Sequence, residues 1–401
     1  MSLTWLISYS LRMTPDIQLL INCCKVKPTA SDIEQIRIYL SQLENQQLTR
    51  IVSLAHNHGI FPLFYETIQT YATDLLTKEN LADLKQQNIN IVMHNMRMTA
   101  ELIRIMKLLE ENSIEALAFK GPALAQIAYG DITLRQYGDL DILIHADSLL
   151  HSIELLKNSG YVATFPLTKS QDKVFIKISH DYLLSNKINN ILVELHWRLA
   201  SDEFMVDLHT INFFSNTTTI KIQNYQVRTF ATEELILYLS VHGAKHHWER
   251  LEWLLDIALI IEKQTIDWKK LIQLTSQSKL EKITFSTLYL CQTIFGIKLP
   301  TNVTTLLDDS KILAFSKKLE THFYAHFNDP IEETVKMRTI WVIQYQLLSG
   351  FKNKMLFITS FLKPTQADYL SVQLPENMTF LYYFIRPINI SKRWIRKILA
   401  R

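Results

Sequence analysis

Two aspartates, Asp139 and Asp141, stand one residue apart in the stretch RQYGDLDILIH, which runs from Arg135 to His145. In a strand, residues i and i+2 project from the same face. Both carboxylates therefore point one way, while Leu140 and Ile142 point the other way into a core. Carboxylates this close repel each other unless positive charge lies between them. A divalent cation meets that need, and Mg2+ takes hard oxygen ligands from one or two carboxylates while keeping room for phosphate oxygens. A third carboxylate, Glu194, lies in ILVELHWRL, where it alternates with Val193 and Leu195 and shares a face with His196. If this strand lies beside the first, Asp139, Asp141 and Glu194 make one acidic cluster. Such clusters hold metal ions ~3.5–4 Å apart for in-line displacement at phosphorus. Mg2+ is the expected cation, with Mn2+ as the alternative.

A phosphate needs its own seat. AFKGPALAQIAYG offers a strand, a turn at Lys120-Gly121, and a helix with Pro122 near its first position. A helix N-terminus presents free N–H groups to an anion, Gly121 permits close backbone approach, and Lys120 adds a full charge. Arg135, four residues before Asp139, is placed to clamp a phosphate from the loop. In HGAKHHWERLEWLLDIA, Lys245, His246 and Arg250 read as a basic edge facing the same ligand. The plainer reading leaves His247 and Arg250 on the surface, with Trp253, Leu254 and Ile257 filling a core. His242 and His246 share a helix face at i, i+4, but the segment lacks the glutamate of a zinc-protease motif. His196 either orients a metal ligand, touches substrate or is structural. HNHG (His56 to Gly59) reads as a helix end.

The elements that must position these groups follow from periodicity. Residues 1–112 read as a helical region, in which Leu102, Met106 and Leu109 form one stripe of a helix. Residues 113–230 read as an α/β core. It contains a strand at 114–119, a short helix ending at Gly130, and the acidic strand. A helix capped by Asp147 and closed by Gly160 follows, then two strands around the turn KINN. Residues 231–401 read as a helical domain that opens with one long helix over 232–263, bent or broken at Gly243. The fold class expected is α+β, predominantly helical, with a small mixed sheet between the two helical regions.

Composition agrees with this outline. Only 8 of 401 residues are glycine, against an average near 7%, and four of them (Gly121, Gly130, Gly138 and Gly160) fall in the core. Three cysteines, two of them adjacent (Cys23 and Cys24), make a poor disulfide framework and favour a reducing cytoplasm. No apolar run reaches the ~18 residues of a membrane span, and the first residues lack the basic start and cleavage site of a signal peptide. The formal charge of +3 names no partner. The basic C-terminal run SKRWIRKILAR carries Trp394, Ile395 and Ile398 on one side and is expected to pack on the domain.

Taken together, the segments FKGPALAQIAYG, RQYGDLDILI and VELHWRL resemble the uncharacterised nucleotidyltransferase family, a branch of the DNA-polymerase-β-like nucleotidyltransferase superfamily. LAHNHGIFPLFYE and HGAKHHWERLEWLLDIA also fit that branch. The resemblance implies metal-dependent transfer of a nucleotidyl group from a nucleoside triphosphate, ATP included, to an acceptor hydroxyl on a small molecule, peptide, protein or RNA end. It implies that Asp139 and Asp141 bind metal and triphosphate, and that Glu194 holds the metal that activates the acceptor. Lys120, Gly121, Arg135, Gly138, His196, Lys245 and Arg250 would then line the nucleotide. The chain departs from the superfamily in having Gly121-Pro122 where Gly-Ser or Gly-Gly is usual, and in a longer gap from Gly121 to Asp139. Two other readings are an inactive nucleotide- or metal-binding module, and a partner protein of a peptide-modification or toxin–antitoxin operon.

Overall fold

The computed structural model describes residues 13–25, 27–165, 175–176, 179–199, 208 and 211–327, and parts of 342–399. The first twelve residues and the side chains of Trp394, Ile395 and Ile398 lie outside the described residues.

The chain begins with helices α1 (Pro15–Cys23), α2 (Ala30–Ser41), α3 (Asn45–Asn57), α4 (Phe61–Tyr71) and the long α5 (Lys78–Glu111). Their starts are set by side-chain caps. The Thr14 hydroxyl accepts from the Ile17 N–H, Thr29 and Asp32 form a capping box, and Thr77 accepts from Asn80 N–H. At the end of α3, Gly59 takes φ +72°, as the helix-end reading of HNHG required. The predicted stripe on α5 is observed. Met98, Leu102, Ile105, Met106 and Leu109 are buried beneath the sheet, while Leu84, farther up the same helix, joins the core of the first four helices.

Five strands form one mixed sheet in the order β1-β2-β5-β4-β3. They are β1 (Ala116–Ala118), β2 (Asp139–Ile144), β3 (Tyr161–Ala163), β4 (Asp181–Asn186) and β5 (Leu192–His196). Only the β2–β5 pair is parallel, and its register sets Asp141 opposite Glu194 and Leu143 opposite His196. The β4–β5 turn is the expected one: Asn186 Oδ1 accepts from the Ile188 N–H and Asn190 takes φ +57°. A hairpin of β6 (Thr217–Ile222) and β7 (Tyr225–Phe230), which periodicity did not resolve, lies against β1.

Between β1 and β2, α6 (Gly121–Leu124) continues as a π-helical turn to Tyr129 and stops at Gly130, with φ +79°. Helix α7 (Leu149–Asn158) follows β2. No side chain caps it. Asp147 sits instead in a single 3-10 turn before it, so the expected cap is not made.

The long helix over 232–263 is two helices, α8 (Thr232–Lys245) and α9 (Leu251–Lys263). The break comes after Gly243, at His247 and Trp248, whose φ angles are +58° and +51°. Gly243 serves a different purpose: a Cβ there would lie 2.8 Å from two atoms of the Trp248 indole. The indole folds back onto the helix and donates to Thr287 Oγ1 at 3.1 Å. Helices α10 (Trp268–Gln277), α11 (Glu281–Phe295), α12 (Thr301–Leu307) and α13 (Ser310–His326) complete this bundle. Farther on are α14 (Gln366–Ser371) and α15 (Tyr382–Leu399).

The sheet separates two hydrophobic cores. Leu140, Ile142 and Ile144 of β2 face α5 and α7 on one side. Leu143 faces the other side, in the core shared by α1–α4 and α8–α13. Alternation therefore places Asp139 and Asp141 on the side that faces α8 and α9.

Candidate active site

Asp141 and Glu194 come together because neighbouring strands carry them at matched positions. The side chain of Asp141 is fully buried, and that of Glu194 is partly exposed. His196, two residues along β5, lies on the same face. Its Nε2 is 3.2 Å from Asp141 Oδ1 and 3.3 Å from Glu194 Oε2, so one ring nitrogen bridges the two carboxylates. Phe119 packs against the imidazole edge to face, with centroids 5.2 Å apart. Asp141, Glu194 and His196 each offer a ligand atom within 4.8 Å of the other two. Asp139, expected in the cluster, stands beside this group at the mouth of β2, where its carboxyl feels the charges of Asp141, Lys120 and Glu194.

The chain supplies its own counter-charges. Lys120 Nζ donates to Asp141 Oδ1 at 3.0 Å and lies 5.9 Å from the centroid of the Tyr238 ring on α8. Burial alone would lower the Lys120 amine's pKa, but the Asp141 charge holds it above the ordinary lysine range. Burial also opposes a charged His196, yet its hydrogen bonds to Asp141 and Glu194 raise the imidazole to about 9. Lys120 and His196 in turn outweigh burial at Asp141 and hold its carboxyl well below the usual range. Asp139 moves the opposite way, to about 6, through burial and then the charge of Asp141. The two carboxylates of the Asp-x-Asp pair are thus unlike. One is held down by its cationic partners, and the other is raised by burial and by its neighbour's charge. Two atoms remain unsatisfied: Asp141 Oδ2 and His196 Nδ1 are buried and have no hydrogen-bond partner.

Gly121 is buried at the start of α6 with φ +54°, a conformation that favours glycine. A Cβ there would lie 3.1 Å from the carbonyl oxygen of Asp139, so the turn and the acidic strand are packed directly together. Gly138 is exposed, with open space around it.

Arg135 is not a phosphate clamp held ready in a loop. It is buried, with Nε 2.9 Å from Asp256 Oδ1 and Nη2 3.0 Å from Asp256 Oδ2, and Nη1 donates to the Gln136 carbonyl at 3.2 Å. The Tyr129 hydroxyl donates to the same carboxylate at 2.9 Å. The physical reason is the position of α9, which delivers a buried acid to the loop and consumes the charge. The loop is held from the other side by Asn95 of α5, whose Nδ2 donates to the carbonyls of Ile132 and Arg135, both at 2.8 Å.

Arg250 is also engaged. Its Nη2 lies 3.0 Å from Glu252 Oε1, and its guanidinium is 5.8 Å from the centroid of the Trp253 ring. Lys245 ends α8, and its charge depresses the imidazoles of His180, His242 and His246 after burial has already done so. His242 meets Trp253 edge to face at 5.6 Å and His246 packs on it at a tilt at 5.0 Å, a wall of half-buried rings beyond Tyr238. His180 lies 6.1 Å from His196, so this wall and the acidic site share one neighbourhood.

Sequence reasoning missed Tyr238, Asp256 and Asn95. The last two had a visible signal, being polar residues on otherwise apolar helix faces. Tyr238 had none, because an aromatic in an apolar helix reads as core.

The uncharacterised nucleotidyltransferase family matches residues 44–296, which contain every residue of the site. Among solved structures, a crystal structure of an antigenic nucleotidyltransferase-like protein from Paracoccidioides brasiliensis aligns over 52% of this chain and 96% of its own. The identity is 15% and the TM-score 0.31. No curated protein matches. On the family match, which spans well over half of its length, the chain belongs to the uncharacterised nucleotidyltransferase family.

Proposed function

We propose that the protein transfers a nucleotidyl group from a nucleoside triphosphate to an acceptor hydroxyl. The observation that carries this reading is the register of β2 and β5, which faces Asp141 with Glu194 beside a lysine and a glycine turn. The donor set fits a divalent cation, since two carboxylates converge with an imidazole and Asp141 Oδ2 is buried with no partner. Such a cation, Mg2+ or Mn2+, would neutralise phosphate charge and make the acceptor hydroxyl a better nucleophile. The acceptor oxygen attacks the α-phosphorus, the bond to the bridging oxygen breaks, and pyrophosphate leaves while the acceptor proton passes to water.

The chain's own groups position the reactants. Asp141 and Glu194 would hold the cation, and Asp139, beside them on β2, would face the triphosphate. Lys120, on a flexible stem 3.0 Å from Asp141, can turn to a phosphate oxygen when the carboxylate finds another partner. Gly121 lets the turn backbone lie against β2 where the phosphates arrive. Lys245 adds positive charge from α8. Catalysis of this kind rests on positioning and charge compensation more than on covalent chemistry. A reducing cytoplasm suits the three buried free cysteines. Among the described residues, no helix is long and apolar enough to cross a membrane.

One observation favours a second reading, a nucleotide-holding protein without turnover. Lys120 and His196 already compensate Asp141, so the site can rest without a cation. The deciding experiment incubates the protein with each α-labelled nucleoside triphosphate, Mg2+ or Mn2+, and cell extract. Label should move to an acceptor with the wild type and not with Asp139→Ala or Asp141→Asn. Equal labelling by all three removes the enzymatic reading.

A further inference from the structure

The ligand atoms that converge are not those of three carboxylates. An imidazole nitrogen, from His196, converges with the carboxylates of Asp141 and Glu194. The imidazole is only 5% exposed and is wedged against Phe119, so it has little freedom to leave. Its Nε2 points between Asp141 Oδ1 and Glu194 Oε2, at 3.2 and 3.3 Å. Asp141 is 1% exposed, and its second oxygen is buried without a partner. An unpaired buried carboxylate oxygen is costly, and a ligand that completes it removes that cost.

We infer that the cation of this site is bound by His196 Nε2 together with the carboxylates of Asp141 and Glu194, and that this one-nitrogen, two-carboxylate set selects a transition-metal ion of the Mn2+ to Zn2+ series over Mg2+. Mg2+ is a hard ion that takes oxygen ligands and sheds water reluctantly. Imidazole favours the later divalent metals, with affinity rising from Mn2+ through Co2+. The same nitrogen now shares its proton with the two acids, so the cation would replace that proton, which passes to water, at the point where the three groups already face one another. This choice of metal deepens the proposed transferase reading and rests on it for its use. Binding of the metal itself needs no nucleotide.

The test loads the full-length protein with Mn2+ alone and records pulsed electron paramagnetic resonance spectra. The expected result is modulation from a directly bound imidazole nitrogen, altered when histidine is labelled with 15N and lost in His196→Gln. The dissociation constant for Mn2+ should rise at least tenfold in His196→Gln, and a hundredfold excess of Mg2+ should fail to displace Mn2+ from the wild type. Should the variant not fold, the labelled wild-type spectrum decides alone. Bound Mn2+ without nitrogen modulation overturns the inference, as does a wild type that binds no Mn2+. Label transfer from nucleoside triphosphates is measured separately. Nitrogen-bound manganese without transfer keeps this inference and removes turnover, whereas transfer without nitrogen modulation does the reverse.

Discussion

Arg135 offers the sharpest test of how the structure divides its charges. A guanidinium four residues before Asp139 suits a phosphate, yet here it forms a bidentate pair with Asp256, whose side chain is 1% exposed against 7% for Arg135. Two direct contacts at 2.9 and 3.0 Å and the Tyr129 hydroxyl at 2.9 Å satisfy the carboxylate. Arg135→Met removes the cation and leaves a buried anion with one hydroxyl for company. Breaking a buried pair from one side costs about 3–5 kcal/mol. With a denaturant slope of about 3 kcal/mol/M, the urea midpoint should fall by roughly 1 M or more. Asp256→Leu alone should cost a similar amount, because it strands the guanidinium. The double variant removes both charges and leaves the Tyr129 hydroxyl, and the part-buried Gln136 carbonyl, without these partners, at about 1–3 kcal/mol. It should therefore fall well short of the summed singles, with a coupling of at least about 3 kcal/mol. The assay is urea unfolding of all four proteins, followed by tryptophan fluorescence. Additive singles, or an Arg135→Met variant within about 0.5 kcal/mol of wild type, would refute the ion-pair assignment and return Arg135 to the ligand.

Further outcomes follow from single positions. Gly243→Ala places a methyl 2.8 Å from the Trp248 indole; overpacking of about 1–3 kcal/mol should exceed the helix gain of about 1 kcal/mol. Its melting temperature should drop, and a rise would contradict the packing described. Gly121→Ala meets both a positive φ of +54° and the Asp139 carbonyl at 3.1 Å. We expect a loss of about 1–2 kcal/mol, with nucleotide affinity falling further than stability does. Unchanged affinity would separate this turn from the site. Glu252, buried with Oε2 unpartnered, is pushed up from 4.5 to about 7, by burial first, against the pull of Arg135 and Arg250. Because the folded value lies above the unfolded one, its contribution is fully present below pH 4.5 and is lost as pH rises through about 7. The total is on the order of 3 kcal/mol. Glu252→Gln should flatten the stability profile across that window, and an unchanged slope would place the titration elsewhere.

Local chemistry carried much of the outline. The stripe on α5, the strand DLDILI, the glycine stops at 59, 130 and 160, and the KINN turn all depend on neighbours a few residues away, and all are observed. The errors have the same origin seen in reverse. Gly243 looked like a helix breaker because glycine is a poor helix former, but its neighbour in space is an indole from the following turn. The β6–β7 hairpin escaped notice because its polar, threonine-rich strand has little alternation to read.

The amino-acid order by itself determined that the fold is α+β and mostly helical, that Asp139 and Asp141 share a strand face, and that Glu194 and His196 share another. These follow from the 2.0- and 3.6-residue periods, which any short segment carries within it. Only the tertiary structure decided that β2 and β5 run parallel in one register, that His196 converges with Asp141 and Glu194, and that Lys120 answers Asp141 while Arg135 answers Asp256. Those pairings join residues 21 to 121 positions apart. They are settled by how helices and sheet pack around two cores, and a charge takes whichever opposite charge that packing brings within reach.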